Sequence, residues 1–212
     1  MTALPHETTV PVPHHVLMAS WSDYRRPKDK LARAVAAGDW IPLRRGWYLS
    51  GRLSPQTLEL PVVANSLWGP SYVSLDYALS HYGLIPEGVT EVTSVTTRRS
   101  QIFQTPVGRF SYQHLPLACY ALGQISQPTA TGIGYIMASP EKALCDKLLL
   151  TRHLQVSSPL AMARLLFDDL RIDEALFLDL RTTIVQQVVF SGHKQQVLSV
   201  LLKLMEAQGC RS

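Results

Sequence analysis

Apolar positions near the start of the chain follow two different periods. Between Pro27 and Gly38, Leu31, Ala34 and Val35 recur at i, i+3 and i+4, which predicts a helix with one inward face. Pro27 suits its first position, Gly38 ends it, and Asp29, Arg33 and Ala36 fall on the outer side. Residues 14–22 are expected to form a shorter helix before it. Two short apolar runs follow, Trp40-Ile41-Pro42-Leu43 and Trp47-Tyr48-Leu49, joined through Arg44-Arg45-Gly46. That arrangement predicts a β-hairpin in which Gly46 takes the positive φ of a tight turn. Arg44 and Arg45 would stand at its tip, held out from the body.

Further along, "GRLSPQTL" reads as a linker in which Ser54-Pro55 opens the next helix, and "LELPVVANSLWG" is short and apolar. Tyr72, Leu75, Leu79 and Tyr82 lie near helical spacing and are closed by Gly83 and Pro86. The period then changes. "TEVTSVTTRRSQIFQTPVGRFSYQHLP" is rich in Thr, Val, Phe and Tyr and predicts two or three antiparallel strands, with turns at Arg98-Arg99-Ser100 and Pro106-Val107-Gly108. "IGYIMA" adds a strand, and Ser139 caps a helix with Pro140 at its first position and Glu141 in its first turn. From Ser158 onward the chain reads as helical, and Val197, Leu201, Leu204 and Met205 form an apolar stripe suited to a core. The expected class is α+β. An N-terminal winged helix-turn-helix leads into a mixed antiparallel-sheet and helix domain with a helical C-terminus. The boundaries are a flexible arm over residues 1–13, a DNA-binding module over 14–53 and a second domain over 54–212.

Charge sharpens this picture once it is located. The chain of 212 residues carries a net charge of +4. Residues 15–52 hold eight basic side chains (Arg25, Arg26, Lys28, Lys30, Arg33, Arg44, Arg45 and Arg52) against Asp23, Asp29 and Asp39. This segment is +5 and the remainder −1. A basic unit on a nearly neutral body is the footprint expected of a polyanion binder, and a solvated charged face is the plain alternative. The hydrophobic content of 46% is enough for a real core. No apolar run approaches the length of a membrane span, and the start of the chain lacks the pattern of a secretory signal. Cys119, Cys145 and Cys210 are few, odd in number and far apart, which fits a reducing cytosol better than a disulfide framework.

Catalytic patterns are sparse. The histidines include no His-x-x-x-His pair, and the chain has no Gly-x-Ser-x-Gly elbow, P-loop or Gly-x-Gly-x-x-Gly. Asp76 lacks the nearby second carboxylate that two-metal chemistry requires. Glu141-Lys142 and Asp146-Lys147 resemble fragments of a nuclease motif, but helical placement does not aim both members into one site as strand alternation would. Glu141, Lys142 and Asp146 are therefore expected on a solvated helix face or in cap and pair interactions. Arg98 and Arg99 read as a solvated turn, or else as a contact of the second domain with RNA, a nucleotide or a protein. Tyr72, Tyr77 and Tyr82 read as packing residues. No catalytic residue, metal site or cofactor is expected.

Several blocks resemble one family. "DYRRPKDKLARAVAAGDWIPLRRGWYLSG" resembles the N-terminal module of AbiEi-type antitoxins, described as predicted transcriptional regulators of viral defence systems. "YVSLDYALSHYGLIP", "EVTSVTTRRS" and "ASPEKALCDKLLL" resemble their later helix, strand-and-turn and Ser-Pro-Glu-Lys-Ala-Leu helix, so the likeness runs from Trp21 to Leu150. The resemblance implies an antitoxin of a type IV toxin–antitoxin pair that provides abortive infection against phage. Its N-terminal module would bind double-stranded promoter DNA and repress its own operon. Its C-terminal domain would counteract a nucleotidyltransferase toxin encoded nearby, without a stable complex. Arg25, Arg26, Lys28, Lys30 and Arg33 would contact DNA from the helix region, and Arg44 and Arg45 from the wing. Arg98, Arg99, Glu141, Lys142 and Asp146 are the polar members of the matching C-terminal blocks. Two other readings stay open: a divergent metal-dependent nuclease with a basic nucleic-acid-binding module, and a repressor that senses a small ligand.

Overall fold

The computed structural model describes residues 8–54 and 57–211; the first seven residues of the expected arm and Pro55 of the expected Ser54-Pro55 helix start lie outside them. The chain opens with β1 (Val12–Pro13), α1 (His14–Ser20), α2 (Pro27–Ala36), β2 (Trp40–Arg44) and β3 (Trp47–Ser50). The three strands form an antiparallel sheet in the order β1-β3-β2. The hairpin is present as expected, with Gly46 at φ +77° in its turn. The last residues of the arm depart from expectation. Val12 and Pro13 pair with Tyr48 and Trp47, and Val12 is buried. Proline is tolerated here because an edge strand can leave one N–H direction unpaired.

Alternation along the hairpin assigns its two faces to two different cores. Trp40 and Tyr48 pack with Val12, Leu17, Trp21 and Leu31 beneath α1 and α2. Ile41, Leu43, Trp47 and Leu49 point the other way and join the main core, which also holds Val62, Leu67 and Phe110. The hairpin is thus a wall shared by the basic unit and the body.

The body continues with α3 (Leu60–Leu67), β4 (Ser71–Val73), α4 (Leu75–His81), β5 (Val92–Thr96), β6 (Gln101–Thr105), β7 (Gly108–His114), α5 (Leu117–Tyr120), β8 (Gln124–Gln127) and β9 (Tyr135–Ala138). Helices α6 (Pro140–Leu150), α7 (Pro159–Ala163), α8 (Glu174–Leu178), α9 (Thr182–Phe190) and α10 (Gln195–Gln208) complete it, with a π-helical stretch over Arg164–Asp169 after α7. The six strands β4–β9 form a mixed sheet in the order β6-β7-β5-β4-β9-β8. The fold is therefore α+β, with two sheets and a helical C-terminus in which Val197, Leu201, Leu204 and Met205 are buried.

Two expectations for this part need correction. The strands after residue 90 do not form a simple antiparallel run, because β7 inserts between β5 and β6 and pairs parallel to β5. Burial explains the order. β7 buries Phe110 and Tyr112 completely, whereas β6 buries only Thr105 and takes the edge. Tyr72 also lies on a strand, and the helix starts after it at Leu75. Among the described residues no helix is long and apolar enough to cross a membrane.

Candidate nucleic-acid interface

Five of the seven basic residues expected at a DNA surface are exposed: Arg25, Arg26, Lys28, Arg33 and Arg45. Arg25 and Arg26 lie in the turn between α1 and α2, and Arg26 is the residue before Pro27 at the helix start. Asp29 contacts two of these basic residues, Arg26 and Arg33. Its carboxylate lies 3.7 Å from the Arg26 guanidinium, and its backbone carbonyl accepts from Arg33 Nε at 3.3 Å. Both contacts are solvent-exposed, so they steer the side chains without neutralising them strongly. Leu31 is buried beneath α2, which fixes Arg33 on the outward side, while Lys28 is exposed in the first turn.

Lys30 and Arg44 are placed differently. The Lys30 ammonium sits 3.3 Å from the centre of the Tyr24 ring and 4.9 Å from that of Trp21, folded back over aromatic faces. Arg44 is not held out from the body. Its guanidinium lies 5.2, 5.6 and 5.7 Å from the ring centres of Trp47, Trp68 and Phe103, between the hairpin and the large sheet. Its Nε is buried without a hydrogen-bond partner among the described residues. Burial, and then the charge of Arg98, lower the Arg44 pKa from its ordinary value. The bulge between Pro42 and Arg44 turns the last residue of β2 toward this aromatic wall. Only Arg45 extends from the tip, beside a turn anchored by the His14 N–H donating to the Gly46 carbonyl at 2.8 Å.

Arg98 and Arg99 occupy an exposed turn, as expected, but they are not simply solvated. Arg98 stacks on Trp68 at 3.9 Å and donates to the Gly69 carbonyl at 3.2 Å. The Arg99 carbonyl accepts from Trp68 Nε1 at 3.3 Å.

Glu141, Lys142 and Asp146 are the clearest correction, because none of them lies on a solvated face. Lys142 and Asp146 are fully buried and Glu141 almost so. Lys142 Nζ donates to Asp146 Oδ1 and, at 2.8 Å, to the Tyr72 hydroxyl. The Tyr72 and Ser74 hydroxyls each donate to Asp146 Oδ2 at 2.8 Å. The pairing expected at i and i+4 is present, but inside the protein. Its cause is the composition of α6, where Ala143, Leu144, Cys145, Leu148 and Leu149 occupy nearly every direction and are all buried. A helix that is apolar nearly all round must be enclosed, and its charged residues are enclosed with it. Gly123, at φ +63°, closes over this cluster, and a Cβ there would stand 2.7 Å from Lys142 Cβ. Ser139 caps α6 by accepting from the Lys142 N–H at 3.2 Å.

Burial raises the Asp146 pKa above the ordinary carboxyl range, while Lys142 and the two hydroxyls oppose that rise. Glu141 Oε1 accepts from the Arg181 backbone N–H at 3.1 Å, and Oε2 is buried with no partner among the described residues. Chemically, the cluster ties β4 to α6 by charge-assisted bonds. Tyr72 and Ser74 were not singled out for this role by the sequence. Their signal is Tyr72 and Ser74 two positions apart at the end of a strand, which places both on one face. Among the described residues no group of His, Cys, Asp or Glu side chains is arranged to hold a metal ion. No protein-family model matches the chain, and no curated protein matches it.

Proposed function

We propose that this chain is a DNA-binding regulator of the AbiEi antitoxin type, with a trimmed winged helix-turn-helix as its DNA-reading part. The observation that carries the reading is the order α1, α2, basic hairpin, together with the exposure of Lys28, Arg33 and Arg45. Helix α2 is 10 residues long, about 15 Å at the usual rise per residue, enough to cross a major groove with its outer face. Arg33 on that face is the candidate base reader. Arg25, Arg26, Lys28 and Arg45 are the candidate phosphate contacts. The sheet-and-helix body is the candidate toxin-counteracting part, on the strength of the family resemblance of its sequence blocks.

The test is fluorescence anisotropy with duplex DNA from the protein's own promoter, measured over a salt series. The expected result is binding whose logarithmic affinity falls linearly with the logarithm of salt concentration. Absence of binding at low salt would overturn the DNA-binding assignment. Co-expression with a nucleotidyltransferase encoded beside the gene tests the antitoxin part, with restored growth as the expected outcome.

A further inference from the structure

Trp68 is the meeting point of two arginine-bearing turns. The Arg44 and Arg98 guanidiniums both lie against its indole, and its Nε1–H donates to the Arg99 carbonyl at 3.3 Å. Arg44 ends β2 at the hairpin tip, whereas Arg98-Arg99 joins β5 to β6 in the body. Phe103 of β6 packs on the same indole, with 5.6 Å between ring centres. One aromatic cluster therefore holds the hairpin tip beside the body turn. The next residues outward, Arg45 and Arg99, are both exposed, and neither side chain has a hydrogen bond or ion pair among the described residues.

The sequence explains why these four arginines lack carboxylate partners. The segments that meet here, Trp40 to Leu58, Leu60 to Leu75 and Val92 to Pro140, contain no Asp or Glu. Arginines at the margins of this region are treated differently. Arg52 pairs with Asp39 and Arg109 with Glu91, each at 3.0 Å. Like charges gathered on one indole repel each other, and after burial it is the Arg98 charge that lowers the Arg44 pKa. An arginine-rich surface without carboxylates produces a positive field that attracts a polyanion.

We infer that Arg99 contacts the phosphate backbone of the same duplex that α2 and Arg45 engage, so that the DNA surface runs from α2 across the hairpin tip onto the body. This rests on the DNA-binding reading above. Continuity selects the partner, because a duplex held at Arg45 passes the neighbouring turn. The order across the molecule is α2, hairpin, turn. Leu31 of α2 packs on the face of the hairpin that carries Trp40 and Tyr48, while Leu43 and Leu49 face the core that contains Trp68. Packed layers lie about 10 Å apart. The turn therefore adds about three base pairs of backbone at 3.4 Å each. Arg98 is the positioning residue, held by its stack on Trp68 and its bond to the Gly69 carbonyl, and Arg99 beside it is left to meet a phosphate through its planar fork of donors. The turn supplements α2 and does not replace it.

Salt-dependent anisotropy of the full chain with duplex DNA from its own promoter tests this. Arg99→Gln is expected to flatten the logarithmic salt dependence by about one unit of slope, and the double variant with Arg45→Gln by about two. Arg164→Gln, at an exposed arginine of the π-helical stretch, lowers the net charge equally and should leave the slope unchanged. Hydroxyl-radical footprinting should show protection shortened by about three base pairs on one flank in Arg99→Gln. Arg99 is exposed, so circular dichroism of its variant should match that of the unmodified chain. Binding by the unmodified chain with an unchanged slope in Arg99→Gln would overturn this proposal and leave the DNA-binding reading intact. Equal losses in Arg99→Gln and Arg164→Gln would reduce the effect to net charge and overturn it as well. Loss of toxin counteraction in Arg99→Gln with DNA binding unchanged would assign the turn to a protein partner instead. No binding by the unmodified chain at low salt would overturn both readings.

Discussion

Arg44 and Arg98 approach the same indole: their guanidinium carbons lie 5.6 and 3.9 Å from the centre of the Trp68 ring. One comes from the hairpin and the other from the turn after β5, so two like charges are held together on aromatic faces across the junction of the two sheets. The Arg44 charge is partly withdrawn from solvent, whereas that of Arg45 is not. The two neighbours should therefore separate in experiment. Arg44→Ala is expected to lower stability by about 1–2 kcal/mol through lost cation–π contact and packing. Arg45→Ala should leave stability unchanged and flatten the salt dependence of DNA binding by about one unit of slope. Urea titration and salt-dependent anisotropy on both variants check this. Equal effects on the two readouts would mean that the tip acts as a unit.

Arg33 projects from the outer face of α2, and Ala32 and Ala36 beside it leave room for close approach. Arg33→Ala is expected to reduce discrimination between operator and random DNA by about 1–3 kcal/mol, the range of a bidentate guanine contact. Competition binding with the two DNAs measures it. An unchanged ratio with weaker binding to both would move Arg33 to the phosphate backbone.

The Lys142–Asp146 pair predicts a different pattern, because it is enclosed. Removing one partner strands a buried charge, so Lys142→Met is expected to cost about 3–5 kcal/mol. Lys142→Met combined with Asp146→Leu should cost less than the sum of the single changes, since no unpaired charge remains. Tyr72→Phe should cost about 1–3 kcal/mol, because Asp146 and Lys142 each lose a partner. Equilibrium denaturation of the set gives these values. Additive single and double effects would show that the pair is not coupled.

Much of the fold could be read from local pattern, and the failures share one physical origin. The hairpin, α2 with its Pro27 start, and α6 with its Ser139 cap are set by neighbours in sequence, and all appear where the pattern puts them. The strand order β6-β7-β5 is set by which strand buries more surface against distant helices, and no local signal carries that. The same holds for charge. Arg33 and Arg45 could be placed outward from helix period and turn position alone. Arg44 could not, because its surroundings include Trp68 and Phe103, far away in the chain, and the partner of Lys142 outside its own helix, Tyr72, is equally distant. For Lys142 a usable signal was present, since five apolar residues crowd the same helix. A helix so apolar on most sides encloses the charged residues it carries.

The shared hairpin leads to a prediction about dissection of the chain. Leu43 and Leu49 belong to the main core, with Leu58, Leu60, Phe103 and Val107 packed against it. A fragment beginning at Ser54 removes that wall and bares the apolar surface behind it. Each large side chain uncovered costs up to about 1.5–3 kcal/mol. The sheet and C-terminal helices keep most of their mutual contacts, so this fragment should still fold, with a clearly lower denaturation midpoint than the full chain. A fragment beginning at Asp39 retains the hairpin and should recover part of the difference, although Trp40 and Tyr48 then lose the cover of α1 and α2. Both fragments lack α2 and should not bind DNA. If toxin counteraction resides in the body, both should restore growth beside the toxin, and the Asp39 fragment should do so at lower expression because more of it is folded. A Ser54 fragment as stable as the full chain would mean that the hairpin packing contributes nothing. DNA binding by the Asp39 fragment would move the interface away from α2.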